Sequence, residues 1–508
     1  MIEGLLIGIN TALVPFNLMM VFIGVFAGTF IGMLPGLGPI SAIALMIPIT
    51  FGLDPSSGLI LMAGVYYGAV FGGSTSSILI NAPGIAGTVA TAFDGYPMAR
   101  QGMAGKALAI AAYSSFAGGT IAAIFLLIAA PSLAVVALSF QSSDYFALMV
   151  LGLTAVSAFA GRGQFLKATM MAVLGLMLAT VGQDVRSDIT RFTFGSIDLL
   201  DGIPFLLLAM ATFALSEALM NVLKGEDIAG KARDATKGSL GTLKLNRSEV
   251  REMSPVVGRS SVLGFLIGVL PGAGATIASF LAYGMERNLA PAKKKEAFGH
   301  GSIRGLAAPE TANNAAASGS FVPMLTLGIP GSGTTAVMLG ALISFGVQPG
   351  PRLFMERPEV FWSVIISMYI GNVILLILNL PLIPYIARLL ALPRQILMPL
   401  ILFFSLVGVY LISFNTFDIH MMMVVAVISV VLRLLGYPMA PMILAFVLGG
   451  LMEANLRRAL IVHDGSISFL WERPIALSLM IVTLIIVAMP IFNFFRERRR
   501  VVMAGEGG

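Results

Sequence analysis

A helix-breaking motif occurs twice in this chain with identical spacing. Its first copy consists of Gly28, Ile31, Gly32, Leu34, Pro35, Gly36 and Gly38, and the same residues recur 236 positions later, from Gly264 to Gly274. Each copy interrupts a long apolar run. A helix in lipid must satisfy its own backbone, so such breaks are tolerated only where the freed groups face protein or a water-filled cavity. Paired breaks in two halves are typical of a transporter's binding site.

The composition indicates a polytopic membrane protein. The chain is 57% hydrophobic and only 11% charged, whereas a soluble domain carries roughly 25% charged residues. Apolar runs long enough to span a bilayer, roughly 20 residues each, recur from Leu18 to Phe495. By that length we expect an all-α fold of about 11 to 12 membrane segments in two related repeats, with some segments broken or re-entrant.

The remaining composition excludes several classes of function. The net charge of +6 comes from Lys and Arg in short loops, as the positive-inside rule requires, so we expect no nucleic-acid partner. The chain has no Cys and only three widely separated His residues, so we expect no transition-metal site and no cofactor. No catalytic triad or HExxH motif is present, and we therefore expect no enzymatic activity.

A charged stretch divides the membrane segments into two halves. Residues 224–259 carry eight basic and five acidic side chains, which predicts a cytoplasmic linker. We expect an N-terminal membrane half at 1–223 and a C-terminal membrane half at 260–495. The final 496–508 should be a cytoplasmic tail, because four Arg residues follow Phe495.

The loops after the two breaks differ in charge, and this difference predicts the orientation of the repeat. Pro83-Gly84 pairs with Pro330-Gly331 at a distance of 247 residues, so the second half has gained eleven residues between the two motifs. The gain lies in the basic loop 286–304, whose first-half counterpart, 51–57, has no Lys or Arg. Equivalent loops on opposite sides indicate an inverted repeat. A parallel repeat with an uncharged cytoplasmic loop is the alternative.

Small polar side chains follow each break at a depth where most residues are apolar. Hydroxyls and amides can donate to a carboxylate without a fixed charge that would trap it, and half-helix N-termini favour anions. The alternative is that these small residues serve close helix packing. The substrate-binding residues that we predict are Ser74, Thr75, Ser76, Asn81, Gly84, Asn313, Asn314, Ser320, Gly331, Thr334 and Thr335.

A cation is predicted to bind beside the anion. Carbonyl groups that are freed at an unwound break are available to Na⁺, and a carboxylate at membrane depth is a functional hypothesis by default. Glu310 has a second interpretation, since an acid near a helix start also complements the helix dipole. The predicted cation-binding residues are Leu34, Pro35, Gly36, Leu270, Pro271, Gly272 and Glu310.

Three long motifs support a family resemblance. These are the doubled Gly-x-Leu-Pro-Gly-x-Gly, the stretch 67–74 and the stretch 307–317. Together they resemble the TctA family, the large membrane subunits of tripartite tricarboxylate transporters. The resemblance implies a multi-pass subunit in the bacterial inner membrane that imports di- or tricarboxylates such as citrate, coupled to Na⁺ or H⁺. It also implies a small TctB-like membrane subunit and a periplasmic TctC-like binding protein.

Two other interpretations remain open at this point. A stand-alone carboxylate symporter would need no binding protein. A pore-forming or scaffold subunit would line a pore with its polar breaks, and its flux would not saturate.

Because the chain has no native Cys, single cysteines can report which side each loop faces. We expect Asp54→Cys to react with a membrane-impermeant maleimide from the periplasm and Lys294→Cys to react from the cytoplasm. Reaction of both from the same side would contradict the inverted repeat.

Overall fold

The structure is a computed structural model that describes residues 2–160, 163–184, 187–224, 240–391 and 394–488. Within the N-terminal part of these ranges, the α-helices are α1 (Ile2–Ala12), α2 (Pro15–Met33), α3 (Gly38–Thr50), α4 (Pro55–Ile80), α5 (Val89–Met98), α6 (Ala104–Ala137), α7 (Ser142–Ala158), α8 (Phe165–Ala179), α9 (Phe205–Ala209) and α10 (Ser216–Lys224). A 3₁₀ turn, Ala86–Thr88, precedes α5, and strands β1 (Gly182–Gln183) and β2 (Thr190–Arg191) form an antiparallel pair.

The C-terminal part is also helical. Its α-helices are α11 (Arg247–Val269), α12 (Gly274–Leu289), α13 (Ala292–Lys295), α14 (Ile303–Gly319), α15 (Phe321–Leu327), α16 (Gly333–Ser344), α17 (Pro351–Glu356), α18 (Pro358–Asn379), α19 (Ile383–Ile386), α20 (Arg394–Ser413), α21 (Thr416–Leu434), α22 (Ala440–Val462), α23 (Phe469–Glu472) and α24 (Pro474–Ala488).

Seven helical segments in the described residues are long and apolar enough to cross a membrane. Shorter apolar helices such as α3, α16 and α24 accompany them. The predicted all-α polytopic membrane protein is therefore confirmed. Much of the predicted linker, 225–239, and the whole predicted tail lie outside the described residues, and the division into halves stays a prediction.

The two breaks have the same backbone geometry. At the first, α2 ends at Met33 and α3 begins at Gly38, with Gly36 at φ +91° and Gly38 at φ +60°. At the second, Gly272 and Gly274 have φ values of +81° and +60°. L-residues rarely adopt this left-handed region, whereas Gly adopts it freely. Each pair of glycines thus allows the chain to leave one helix and start another within four residues.

Each helix before a break packs unusually closely against a later helix of the same half, α2 against α4 and α11 against α14. A Cβ atom built on Gly28 or Gly32 of α2 would lie 2.3 Å from a backbone oxygen of α4, at Val65 or Ala69. In the second half, Cβ atoms on Gly264 and Gly268 of α11 would lie 2.5 and 2.3 Å from backbone oxygens of α14. Glycines spaced by four residues permit this backbone-to-backbone packing in membranes.

Helix α4 lies at the centre of the packing. Its most apolar 18-residue window is completely buried inside the protein, and it contacts α2, α3, α5, α14, α16 and α18. A helix that is buried on all sides must be satisfied by protein contacts alone. The polar residues at its C-terminal end, Ser74 to Ser77, are therefore held within protein.

The chain divides into two compact units. The first comprises Met1–Val135 and Pro204–Val431, and contains both breaks. The second comprises Val136–Ile203 and Leu432–Gly508. In the second unit, α22 packs against α7 and α8.

A charge network joins the two-stranded ribbon to α22 within the second unit. Arg457 contacts Glu453 and Asp184, each at 2.6 Å. Arg191 contacts the same two acids, at 3.1 Å for Glu453 and 3.0 Å for Asp184. The four-residue spacing of Glu453 and Arg457 predicts an ion pair on one helix face, and the structure confirms it.

Salt bridges link three basic segments of the first unit, namely the start of α6, helix α11 and residues 286–304. Lys106 contacts Glu249 at 2.8 Å, and Lys294 contacts Glu252 at 2.7 Å. Glu286, which is 0% exposed, receives both Arg259 and Arg304 at 2.7 Å. Each of these segments carries the positive charge typical of the cytoplasmic side.

The close helix contact can be tested with two alanine substitutions on one helix. Gly264→Ala should destabilise the protein by about 1–3 kcal/mol, because its Cβ would overlap the Ala312 carbonyl oxygen. Gly258→Ala is the control, since a Cβ there meets nothing within 4 Å. Thermal unfolding of the purified protein in detergent measures both, and equal midpoints would contradict the described packing.

Candidate functional site

The two Pro-Gly turns occupy equivalent places beside the two breaks. A Cβ on Gly84 would meet the Gly32 carbonyl oxygen at 1.9 Å, and one on Gly331 would meet the Gly268 carbonyl oxygen at 2.9 Å. In the second half, the Gly272 N–H also donates to the Gly331 carbonyl at 3.0 Å. Each half therefore brings its predicted substrate turn against its predicted cation-binding break.

A left-handed residue ends the helix before each turn. Asn81 closes α4 at φ +52°, and Gly328, 247 residues later, closes α15 at φ +69°. Gly is the usual residue for such a helix end and Asn the next most common. The Asn81 side chain is exposed, and its backbone conformation gives a structural reason for this residue. Its predicted role as a substrate ligand stays a prediction.

The 3₁₀ turn that directly follows Pro83-Gly84 lies against an amide from the second half. Gly87 lies in the Ala86–Thr88 turn, and a Cβ on it would lie 2.5 Å from Oδ1 of Asn313. Asn313 is 0% exposed, and neither of its side-chain polar atoms has a hydrogen-bond partner among the described residues. The helix start at this turn has no side-chain cap at Ile85 or Thr88. The unpartnered amide of Asn313 therefore lies next to a helix start whose backbone N–H groups no side chain caps.

The second turn faces a phenol from the first half. The Tyr66 hydroxyl lies near the side chains of Ser320, Ser332 and Thr334. Tyr66 and Asn313 are 247 residues apart, which is the spacing of the turns themselves. The repeat thus places one side chain of each half against the turn of the other half, although one is an amide and the other a phenol.

The N-terminus of α16, at the second turn, is already capped. Ser332 and Thr335 form a reciprocal capping box, in which the Ser332 N–H donates to Thr335 Oγ1 at 2.9 Å. This box satisfies backbone groups that would otherwise be free for an anion. The two turns therefore differ in helix capping as well as in sequence, because only the first has a helix start without a side-chain cap.

Glu310 lies in a cage of hydroxyls. It is 0% exposed, and Ser74 and Ser115 donate to its Oε2 at 2.6 and 2.8 Å. Thr91 donates to Oε1. These partners come from α4, α5 and α6, so the predicted cation residue and the predicted substrate residue Ser74 belong to one cluster. Within the described chain, Glu310 forms no ion pair.

Several predicted ligands bond to their own helices. Ser76 donates to the Gly73 carbonyl at 3.2 Å, Asn314 to the Glu310 carbonyl at 3.1 Å and Ser320 to the Ala317 carbonyl at 2.7 Å. Such bonds within a helix satisfy a polar group in an apolar surrounding. Thr75 instead lines a small cavity beside Ser74 and Ser115.

The predicted cation positions at the breaks contact other elements than Glu310. A Cβ on Gly36 would lie 2.9 Å from Glu217 Oε1 and 3.1 Å from Asn221 Oδ1, both on α10. The ligands at hand are oxygen atoms, which suit hard cations such as Na⁺ rather than transition metals. In the described ranges, no three His, Cys, Asp or Glu side chains form a group able to hold a metal ion.

The sequence predictions missed Tyr66, Gly87, Thr91 and Ser115. Tyr66 could have been predicted, because it lies 247 residues before Asn313 and this spacing also relates the two Pro-Gly turns. Thr91 and Ser115 carry no such signal, since neither belongs to a motif and only the fold brings them to Glu310.

This geometry defines the class of the protein, a polytopic α-helical membrane protein with paired broken helices around a buried polar centre. A family model described as the tripartite tricarboxylate transporter TctA family matches residues 18–444. The chain belongs to this family, which confirms the resemblance that the motifs predict.

Two relatives from Agrobacterium vitis support the assignment. One, described as an uncharacterized 52.8 kDa protein in the TAR-I ttuC′ 3′ region, is 45% identical over 506 residues, covering 100% of this chain and 99% of the relative. The other, an uncharacterized protein in the TAR-II ttuC′ 3′ region, is 44% identical over 236 residues, covering 46% of this chain and 97% of the relative. No solved structure matches the chain.

The left-handed helix ends can be tested by substitution. Asn81→Gly should leave thermal stability near that of the native protein, whereas Asn81→Val and Gly328→Ala should each cost about 1–2 kcal/mol. Unfolding midpoints in detergent measure the difference. A loss of stability in Asn81→Gly equal to that in Asn81→Val would show that the amide, not the backbone conformation, is required.

Proposed function

We propose that this protein is the translocation subunit of a secondary transporter that imports a di- or tricarboxylate by alternating access. The observation that carries the proposal is the unpartnered, fully buried amide of Asn313 against Gly87. A carboxylate placed there would accept hydrogen bonds from the amide and from the uncapped N-terminus of the Ala86–Thr88 turn and α5. Family membership supports the class of substrate.

The second turn would contact the other end of the substrate. Tyr66, Ser332 and Thr334 provide hydroxyl donors there, and these groups carry no fixed charge. An anion held by neutral donors is released more readily than one held by Arg or Lys, and a transporter must release its substrate in each cycle. Substrate specificity would depend on these hydroxyls.

Uptake of an anion requires a balancing cation. Glu310 is a buried carboxyl group without an ion pair in the described chain, and an isolated charge in such a place is strongly unfavourable. Three hydroxyl donors offset part of this cost. Binding of Na⁺ or H⁺ near Glu310 and at the breaks would remove the remainder and couple the ion gradient to substrate binding.

The family indicates a transporter assembled from several subunits. We propose a small TctB-like membrane subunit and a periplasmic TctC-like binding protein as partners, in a bacterial inner membrane with the C-terminus in the cytoplasm. The salt bridges that link the three basic segments of the first unit support a cytoplasmic position for those segments. An inverted repeat, with equivalent loops on opposite sides, is part of this proposal.

Uptake of labelled citrate into proteoliposomes tests the function. The protein is reconstituted with its small-subunit partner, with or without loaded binding protein and an inward Na⁺ gradient. We expect saturable uptake that requires both. Uptake without the binding protein would favour a stand-alone symporter, and flux that does not saturate would favour a pore. If citrate is not transported, a panel of other carboxylates tests the same proposal.

Asn313 gives the sharpest test of the substrate site. Asn313→Ala should raise the KM for uptake about 10- to 100-fold, which corresponds to the loss of one hydrogen bond to a charged group. Asn372→Ala is the matched control, because Asn372 is another buried amide but lies on α18 against Gly119. Native KM in Asn313→Ala, or equal changes in both variants, would refute the assignment.

A further inference from the structure

A small cavity lies beside the hydroxyl cage of Glu310. It lies between α4, α6 and α18, and its lining consists of Phe71, Ser74, Thr75, Leu108, Ala111, Ala112, Ser115 and Asn379. Its interior has room for about one water molecule. Of these residues, Asn379 was not predicted from the sequence and has no part in the proposed substrate site.

Asn379 has a polar atom without a partner. Its Nδ2 donates to the Leu375 carbonyl of its own helix at 3.0 Å. Its Oδ1 is buried and has no hydrogen-bond partner in the part of the chain that the structure describes. Leaving a buried acceptor unsatisfied costs about 1–3 kcal/mol. Because Asn379 lines the cavity, a donor or a cation bound there would satisfy this oxygen.

The hydroxyls of Ser74 and Ser115, which also line the cavity, are free to act as acceptors there. Ser74 and Ser115 direct their hydrogens to Glu310 Oε2, at 2.6 and 2.8 Å. A hydroxyl has one hydrogen and two lone pairs, so the lone pairs of both oxygens stay available on the other side. The wall is also close to the negative charge that Glu310 carries when ionised.

We infer that this cavity binds a Na⁺ ion, with Ser74, Ser115, Thr75 and the Asn379 amide oxygen as ligands and Glu310 as the counter-charge. Uncharged oxygen atoms next to one carboxylate suit a hard monovalent cation. A proton on Glu310 would neutralise the carboxylate but leave Asn379 Oδ1 without a partner. A Na⁺ ion in the cavity would balance the carboxylate and also coordinate the Asn379 oxygen. The inference rests on the proposed function for its role as the coupling ion and makes Asn379 a residue of the coupling site.

Na⁺ binding to the purified protein in detergent tests this directly. Thermal unfolding is followed while NaCl replaces choline chloride at constant ionic strength, in the absence of any carboxylate substrate. A ligand that binds only the folded state raises its stability with concentration. We expect Na⁺ to raise the unfolding midpoint of the native protein, and KCl to raise it much less.

Single substitutions test two of the proposed Na⁺ ligands separately. Asn379→Leu and Thr75→Val remove one oxygen ligand each at similar volume, and each should weaken the apparent Na⁺ affinity at least tenfold. Asn372→Ala, two helical turns away on α18, is the control and should retain native affinity. Thr75→Val answers the same question if Asn379→Leu does not fold.

Three results would overturn the inference. These are equal stabilisation by K⁺ or choline, native Na⁺ affinity in both ligand variants, and stabilisation by acid alone that disappears in Glu310→Gln. The binding assay also separates this inference from the proposed function. Na⁺ binding without carboxylate uptake would refute the transport proposal alone, and uptake without Na⁺ binding would refute the cavity alone.

Discussion

Close backbone contact between helices is the constraint on which the rest of the structure depends. Gly28 and Gly32 allow α2 to touch the backbone of α4, and Gly264 and Gly268 do the same for α11 and α14. In a membrane, such packing replaces the hydrophobic driving force that water provides to soluble proteins. The same packing places each break beside its Pro-Gly turn. The break follows one helix of the packed pair, and the turn comes after the other.

Much of the backbone could be predicted from the sequence, because Pro and Gly limit it directly. The repeated Leu-Pro-Gly motif predicts both breaks, and the structure gives them nearly equal φ values at Gly36 and Gly272. The spacing of 247 residues also pairs Asn81 with Gly328, and both residues end a helix in the left-handed conformation. The predicted ligand role of Asn81 stays a prediction beside this backbone role. A polar residue in a membrane helix has several roles that one sequence does not separate.

The arrangement of the polar centre was less predictable. Ser74 and Glu310 are 236 residues apart and share a hydrogen bond, while Thr91 and Ser115 join them from two other helices. These contacts depend on how helices cross, and the sequence pattern of any one helix does not contain that information. Residues related by the repeat are the exception, since Tyr66 follows from Asn313 by spacing alone.

The unequal pair of Tyr66 and Asn313 has a consequence for how such a protein can evolve. A duplicated gene begins with two identical halves, so both turns would first face the same side chain. In this chain one turn faces an amide at an uncapped helix start, and the other faces a phenol beside a capped helix start. The halves have therefore become specialised and are no longer interchangeable. A protein assembled from two copies of either half would keep the packing glycines but present the same chemistry at both turns.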